Sequence, residues 1–252
     1  FACLDEVHCI SQWSHNFRPA YLRICKVFFL EFQVLRERLG VRCFLGLTAT
    51  ATAATARDVA EHLGVRPENG IGIGTFGIPE NLRLSVSVEF DPDQALLRLL
   101  REWNSENFGN CGDFGNSVIV YCTRREESER LAELIQREFP EKFPNPRKKQ
   151  RKVPEFRVAA AYHAGLSPRQ RREILRGFMA DTIRVLCATT ALGLGLHKAA
   201  LRGVLHRNGP GSLEGFVQEI GRAGRDGRPA CCHLFLEQEV TGMGGFGGKN
   251  QR

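Results

Sequence analysis

No stretch of this 252-residue sequence approaches the roughly 18 to 20 continuous apolar residues that a membrane helix needs. The first residues also lack the basic-then-apolar pattern of a secretory signal. Both absences argue against a role in the membrane. Methionine is scarce as well: the sequence opens at Phe1, inside an apolar strand-like run, and contains only Met179 and Met243. We therefore interpret the sequence as a fragment.

The spacing of a zinc site is missing too. Nine cysteines are present, but they are scattered singly apart from Cys231-Cys232, with no Cys-x-x-Cys pair and no matching histidine cluster. No zinc is expected. The pattern favours reduced intracellular thiols, although the sequence does not exclude disulfides. Several cysteines lie in apolar strand-like runs, where a small buried hydrophobe is the common role.

The formal net charge of +7 and the pI near 9.1 fit a polyanionic partner such as nucleic acid, although many solvated surfaces carry a similar charge. The length and the 42% hydrophobic content are enough for two modest domains.

Short apolar runs alternate with amphipathic stretches, which is typical of βαβ units around a parallel sheet. Ligands of such sheets bind at the carboxyl ends of the strands, so the chemistry is expected there. The predicted strands are Phe1 to Leu4, Val41 to Leu47, Ser117 to Cys122, Arg157 to Tyr162, Ile183 to Ala188, Gly203 to His206 and Cys231 to Leu236.

Helices are predicted between the strands from apolar residues at helical spacing. Ser167 and Pro168 have the residue types of an N-cap and a first helical position. The apolar stripes that define these helices are Leu96, Leu97, Leu100 and Trp103, then Leu131, Leu134, Ile135 and Phe139, and then Ile174, Leu175 and Phe178.

Two segments rich in glycine or proline punctuate this pattern. Gly70 to Pro79 marks a domain boundary. Residues 140–154 combine four prolines with six basic residues and are expected to form an exposed loop. This basic loop could be a localisation signal, a phosphate-contacting patch or simply a solvated insertion.

The carboxylates of Asp5-Glu6-Val7-His8 follow an apolar strand and point in different directions, because side chains alternate along an extended backbone. One carboxylate can hold Mg²⁺ while the other orients or deprotonates water, as nucleotide hydrolysis requires. The same sequence pattern would also occur at a solvent-exposed strand end that carries a capping carboxylate.

Gln218, Arg222 and Arg225 are spaced so that a helix would place all three on one side. Leu213, Phe216, Val217 and Ile220 would occupy the opposite side. Such a helix suits an anion, because the arginine fork stays charged and can bond two phosphate oxygens at once. A surface helix of ion pairs is the alternative, and the helix-weakening glycines of this segment make it less attractive.

These motifs resemble those of the RecQ family of superfamily-two DNA helicases, over nearly all of residues 1 to 238. Asp5-Glu6-Val7-His8 is similar to the Walker B motif, and Gln218 to Gly227 is similar to motif VI. The other matching segments are Leu47 to Ala51 (motif III), Ile119 to Cys122 (motif IV), Tyr162 to Gly165, and Ala188 to Lys198 (motif V).

The segment Ser11 to Pro19 is similar to the aromatic-rich loop that distinguishes RecQ enzymes from other helicases. In such a loop Trp13 and Phe17 can stack on unpaired bases, while Arg18 contacts phosphate or links the loop to the nucleotide site. The continuation to Arg23 is closest to the branch that contains the Rothmund–Thomson syndrome helicase.

The resemblance implies an α/β fold with two RecA-like parallel-sheet lobes, the first truncated at its N-terminus. It also implies an ATP- and Mg²⁺-dependent motor that moves 3′ to 5′ along DNA, works in the nucleus or the cytoplasm, and acts in repair, replication or recombination. The predicted divisions are lobe 1 at 1–78, a linker at 79–92, lobe 2 at 93–238 and a disordered Gly-rich tail at 239–252.

Roles for individual residues follow from the same resemblance. Asp5 would hold Mg²⁺, Glu6 would be the catalytic base and His8 would link the nucleotide state to DNA. Arg225 would be the arginine finger that reaches across the cleft, with Arg222 and Gln218 beside it. Gly193 and Gly195 would also approach the nucleotide. DNA contact or coupling would fall to Gln12, Trp13, His15, Phe17, Arg18, Thr48, Thr50, Thr123, Arg124, His163 and Thr189.

The sequence departs from the family pattern in several places. Nothing in it matches the Gly-x-Gly-Lys-Ser/Thr phosphate loop, so the isolated chain is expected to hydrolyse ATP poorly. Residues 28–34 look inserted, and His197 stands where the family has Asn or Asp. Two alternatives stay open: a non-catalytic nucleic-acid-binding remnant, and another superfamily-two enzyme such as an RNA helicase.

Overall fold

The α/β architecture expected from the alternating pattern is confirmed. The structure, a computed structural model, describes residues 1–10, 37–38, 40–48, 51–65, 70–72, 78–103, 117–139, 157–193 and 196–238. The chain divides into two units, Phe1–Gly77 and Ile78–Arg252. None of the described helices combines the length and the apolar character that crossing a bilayer would need.

The first unit is built on two short parallel strands, β1 (Ala2–Leu4) and β2 (Phe44–Gly46). A 3₁₀ turn at Val7–Ile10 follows β1, and helix α1 (Ala53–Leu63) follows β2. The Thr52 hydroxyl caps α1 by accepting the Thr55 N–H at 3.1 Å. The described part of the core consists of Val7, Val59 and Leu63, with Leu4, Phe44 and Val65 packed against them.

The second unit is a six-stranded parallel sheet in the order β3-β8-β7-β4-β6-β5. Its strands are β3 (Leu82–Glu89), β4 (Ser117–Tyr121), β5 (Arg157–Tyr162), β6 (Ile183–Ala188), β7 (Leu201–His206) and β8 (Ala230–Glu237). Its helices are α2 (Pro92–Trp103), α3 (Arg125–Glu138), α4 (Pro168–Met179) and α5 (Leu213–Ile220).

Helices cover both faces of this sheet, as a buried parallel sheet requires. On one face, Leu96 and Leu100 of α2 and Ile135 of α3 are fully buried against alternate residues of the central strands. On the other face, Phe178 of α4 and Ile220 of α5 fill the same role. The apolar stripes read from the sequence for α2 and α3 are therefore core.

The start of α4 agrees with its sequence signature. The Ser167 side chain accepts the Gln170 N–H, the Gln170 side chain accepts the Ser167 N–H at 3.0 Å, and Pro168 occupies the first turn. This reciprocal pair satisfies two backbone donors that would otherwise lack partners.

The linker predicted at 79–92 is wrong over most of its length, because Leu82–Glu89 form β3 at the edge of the sheet. Apolar and polar residues alternate along this segment, and all eight pair in register with β8. Leu82 at the start of the strand is buried, but apolar residues further along are not covered: Val86 is 61% exposed and Val88 is 62% exposed.

The prediction that the cysteines are reduced thiols agrees with the structure at some positions. Cys122, Cys187 and Cys232 are buried free thiols, and burial raises the pKa of Cys232 to about 12. Cys231 is disulfide-bonded, an outcome that the sequence left open. The insertion at 28–34, the basic loop at 140–154 and the tail at 239–252 lie outside the described residues.

Candidate functional site

The first group of predicted site residues lies at the carboxyl ends of β1 and β2. Backbone hydrogen bonds from Leu47 N to Leu4 O at 2.8 Å and from Val7 N to Leu47 O at 2.9 Å tie the two strand ends together. As a result, Asp5 and Glu6 after β1 lie beside Thr48 after β2.

His8 connects the carboxylates to Thr48. Its Nδ1 lies 2.8 Å from Thr48 Oγ1 and 3.3 Å from Glu6 Oε2. The Glu6 backbone is in the left-handed region at φ 51°, and its N–H donates to Asp5 Oδ1 at 2.9 Å. An unusual backbone conformation next to a carboxylate pair is characteristic of functional sites. We call Asp5, Glu6, His8 and Thr48 the acidic cluster.

The acidic cluster has the donor chemistry that a Mg²⁺ ion requires, because carboxylate oxygens are its usual protein ligands. The Asp5 side chain is exposed, and Glu6 Oε2 is a buried oxygen that lies 3.3 Å from His8 Nδ1 and accepts no hydrogen bond from the described residues. An oxygen in that state has a lone pair to offer to a cation or a water molecule.

The second group lies at the carboxyl edge of the sheet in the second unit. Thr123, His163 and Thr189 follow β4, β5 and β6, which are neighbours in the sheet. Because parallel strands end at the same edge, residues far apart in sequence are brought together there. The expectation that polar motif residues gather at this edge is met for these three.

Their environments differ. The Thr123 side chain and backbone N–H both donate to Glu127 Oε2, at 3.3 and 3.1 Å, and Arg124 beside it is exposed. Thr189 is buried, and its Oγ1 accepts the Ala191 N–H at 3.3 Å.

His163 differs from the expectation of a direct DNA contact. The residue is only 4% exposed, and its Nε2 lies 2.9 Å from Glu129 Oε1. A ring buried to this degree offers a bound strand little surface. The following turn is more accessible, since Gly165 is exposed.

A charged network at the end of β7 was missed by sequence reasoning. Arg207 is 7% exposed and donates from Nε to Asp93 Oδ1 at 3.0 Å, and Arg130 donates to the same carboxylate. Burial by itself raises the pKa of Asp93, but the hydrogen bonds from Arg130 and Arg207 outweigh it and hold the pKa below its ordinary value. The only sequence signal was a basic residue directly after an apolar strand, which is too common to be diagnostic.

The prediction that Gln218, Arg222 and Arg225 share one helix face is wrong. Helix α5 ends at Ile220, with Gly221 as its C-cap, and a series of turns follows. Gly224 has φ 61°, which a continuing helix cannot contain. The prediction that the apolar residues of this helix face the core is also wrong in part, because Leu213 is 73% exposed.

Arg222 is 7% exposed, so it is not presented to a ligand as a helix-surface residue would be. It lies close to Tyr121, whose pKa is raised by burial and lowered in smaller part by the Arg222 charge. Next to them, His206 stacks on Tyr121 with ring centroids 5.2 Å apart, and its Nε2 lies 2.8 Å from Glu219 Oε2. Arg222 therefore belongs to a buried polar cluster beneath α5.

Arg225 is exposed, and its Nε donates to the Gly221 carbonyl at 3.1 Å. The neighbouring Gly224 N–H donates to the carbonyl of Leu201, the first residue of β7, at 2.9 Å. The loop that carries Arg225 thus lies at the amino end of β7, whereas Thr123, His163 and Thr189 lie at the carboxyl edge. This is a correction to the expectation that all the chemistry gathers at the carboxyl ends.

Gly193 is half-buried after β6, and a Cβ there would meet only the Ala191 carbonyl oxygen at 3.9 Å. The remaining predicted site residues lie outside the described part of the chain: Gln12, Trp13, His15, Phe17, Arg18, Thr50 and Gly195.

The parallel sheet with helices on its faces has the architecture of a RecA-like lobe of helicases. Comparison with known proteins agrees: residues 94–227 match the family model "Helicase conserved C-terminal domain". The chain is 50% identical over 240 residues to ATP-dependent DNA helicase Q4 of Homo sapiens, and 35% identical over 237 residues to ATP-dependent DNA helicase RecQ of Pasteurella multocida. The chain therefore belongs to the RecQ family of helicases.

These matches cover 95% and 94% of this chain but only 18% and 32% of the two relatives, so the chain spans a minor part of their length. Among solved structures, the Mycobacterium smegmatis helicase Lhr bound to ssDNA and AMP-PNP matches 93% of this chain and 28% of that chain, with a TM-score of 0.62. At 21% identity, this similarity shows a shared fold and nothing further.

Proposed function

We propose that this chain is part of an ATP-driven DNA helicase that moves 3′ to 5′ along one strand and separates the duplex. The observation that carries the proposal is the acidic cluster, in which His8 Nδ1 lies within 2.8 Å of Thr48 Oγ1 and 3.3 Å of Glu6 Oε2. A carboxylate pair linked to a second polar segment suits a site that must hydrolyse a nucleotide and transmit the event.

Within the acidic cluster the two carboxylates have separate tasks. Asp5, which is exposed, would hold Mg²⁺, whose charge offsets the negative charge of the phosphates when it is bound. Glu6 accepts the proton of the attacking water as a general base. His8 joins Glu6 to Thr48, so a change at the carboxylate alters a hydrogen bond in the segment that resembles motif III.

The second unit supplies the basic groups of the proposed activity. Arg225 is exposed and permanently charged, as a side chain that stabilises transferring phosphate must be. Thr123 and Arg124 at the carboxyl edge are accessible to a DNA backbone, and the net charge of +7 favours a polyanion. The 3′ to 5′ direction rests on the resemblance to the RecQ family.

DNA is the proposed nucleic acid because the relatives at 35% and 50% identity are named DNA helicases. A role in DNA repair, replication or recombination in the nucleus is proposed on the same basis. The 252 residues by themselves are proposed to turn over little ATP, because they contain no Gly-x-Gly-Lys-Ser/Thr loop.

The central test is the Glu6→Gln variant of the full-length protein. Loss of the general base should lower the rate of DNA-stimulated ATP hydrolysis by about a hundredfold or more, while DNA binding in a fluorescence anisotropy titration stays unchanged. Glu61→Gln on the exposed side of α1 removes a similar charge and serves as the matched control. Equal rates for wild type and Glu6→Gln would contradict the assigned role.

Strand-separation assays test the direction and the substrate. Duplex DNA with a 3′ single-stranded tail should be unwound, and the same duplex with a 5′ tail should not. Unwinding of RNA duplexes alone would favour the RNA-helicase alternative. DNA binding without ATP turnover by the full-length protein would favour the non-catalytic remnant.

A further inference from the structure

The loop that carries Arg225 is held by a residue from a distant part of the chain. The Asn81 side chain donates from Nδ2 to the carbonyl of Gly224 at 2.8 Å and to the carbonyl of Arg228 at 2.8 Å. These two carbonyls flank Arg225, and Asn81 is separated from Gly224 by 143 positions in sequence. One side chain therefore fastens both ends of the 224–228 segment, which we call the arginine loop.

The orientation of the Asn81 amide follows from its partners. Both are carbonyl oxygens, which only accept, so the two N–H groups of the amide must face them. The backbone also holds Asn81 in place, because its own carbonyl accepts the Ala230 N–H at 2.9 Å and the adjacent Leu82 begins β3. Asn81 thus acts from the start of the edge strand β3.

Gly224 is adapted to this contact. Its φ of 61° lies in the left-handed region, and a Cβ there would meet Asn81 Nδ2 at 2.4 Å. The glycine gives the amide room to reach the backbone.

A second contact holds the arginine loop on the other side of Arg225. Arg202 of β7 is 4% exposed and pairs with the Asp226 carboxylate through two hydrogen bonds, one of which Nη1 donates to Oδ1 at 2.9 Å. Asp226 Oδ1 also accepts the Arg228 N–H at 3.1 Å. The residues on both sides of Arg225 are therefore held by groups of the sheet, while the Arg225 side chain is exposed.

We propose that Asn81 is a positioning residue for Arg225: it fixes the backbone from which the guanidinium reaches a phosphate oxygen. This inference rests on the proposed function, because it assigns Asn81 a part in the same ATP hydrolysis. A charged donor stabilises a transition state well only when it is held in place before the reaction. The arginine loop consists of turns with two glycines, so its order depends on these contacts.

The first test compares Asn81→Ala and Asn81→Asp in the full-length protein. Loss of two hydrogen bonds should lower kcat for DNA-stimulated ATP hydrolysis about tenfold and leave KM for ATP within about twofold. Asn81→Asp keeps the shape of the side chain but places a carboxylate oxygen against both carbonyl oxygens. Its decrease in kcat should therefore be at least as large as that of Asn81→Ala. Glu80→Ala, at the exposed neighbouring position, is the control. Unchanged kcat in both Asn81 variants would overturn the proposal.

A double-mutant cycle tests whether Asn81 acts through Arg225. In the Arg225→Ala background, Asn81→Ala should cause no further loss of kcat, because the group that it positions is gone. A further tenfold loss in that background would show an independent role and overturn the assignment.

Hydrogen exchange separates local positioning from general stability and does not depend on ATP hydrolysis. Asn81→Ala should speed exchange in peptides covering 221–230 and leave peptides of β4 and β6 unchanged. Faster exchange throughout the sheet would mean a merely structural role. If the wild-type protein hydrolyses no ATP, the proposed function fails, and the exchange result alone decides whether Asn81 orders the arginine loop.

Discussion

At the scale of single residues, the pair of Arg202 and Asp226 illustrates how a buried charge is kept in a folded protein. Arg202 is 4% exposed, and such a charge is tolerated only with a partner of opposite sign. The hydrogen bond from Arg202 in turn lowers the pKa of Asp226 from 3.8 to about 2. The same pair holds the arginine loop against β7.

This shift predicts a specific pH dependence. A carboxyl group with a lowered pKa stabilises the fold above its unfolded pKa and loses that contribution as pH falls, here from 3.8 towards about 2. Asp226→Asn should therefore reduce the free energy of unfolding by roughly 1 to 2 kcal/mol at neutral pH, because buried Arg202 loses a charged partner that is itself exposed to solvent. Urea unfolding at a series of pH values measures the difference, which should shrink in acid.

Glu133→Gln on the exposed side of α3 is the control for this experiment. It should behave like wild type over the same pH range. A difference between wild type and Asp226→Asn that stayed constant down to about pH 2 would mean that the pair does not set the pKa of Asp226.

At the scale of elements, the turn after α5 shows why glycine is needed in two different ways. Gly224 and Gly227 both have positive φ, of 61° and 78°. A Cβ at Gly224 would meet Asn81 Nδ2 at 2.4 Å, whereas a Cβ at Gly227 would meet nothing within 4 Å. A Cβ at Gly224 would also meet the Arg228 carbonyl oxygen at 3.0 Å, so alanine at Gly227 tests backbone strain alone, whereas alanine at Gly224 adds these two close contacts.

Alanine at each position tests this difference. Gly227→Ala should lower the free energy of unfolding by about 1 kcal/mol through backbone strain alone, with ATP hydrolysis by the full-length protein unchanged. Gly224→Ala should have a larger effect on stability and should also reduce kcat, because Asn81 must move. Thermal unfolding and steady-state ATPase assays provide both readouts, and equal behaviour of the two variants would argue against a tight Asn81 contact.

Elements were predictable where their pattern is local. The bounds of β5 and β6 agree with the sequence prediction, and the N-cap at Ser167 is where its residue type placed it. The continuous helix through Arg225 failed, because helical spacing was counted across Gly221 and Gly224 without allowing for their turn-forming backbone.

At the scale of the whole molecule, the second unit has what an independent domain requires. Helices cover both faces of its sheet apart from one side of the edge strand β3, and the unit contains two extensive buried clusters. The first unit has a smaller described core around Val7, Val59 and Leu63.

Residues 78–252 produced alone should therefore fold. Circular dichroism should show mixed helix and strand signals, and urea should unfold the protein in one cooperative transition, because a single sheet links both buried clusters. A matched sample of the 252-residue chain gives the comparison. A non-cooperative transition in residues 78–252 would mean that the first unit is needed for the fold.

The sequence by itself determined the α/β class, the family motifs and the position of Asp5 and Glu6 directly after a strand, because each of these depends on residues that lie close together along the chain. Periodicity defines strands and helices, and the residues after a strand fall at its carboxyl end. Only the tertiary structure decided that the supposed linker is strand β3, that Arg222 is buried and that Asn81 holds the arginine loop. These features arise from contacts between segments up to 148 positions apart, and local sequence does not say which distant segments will pair.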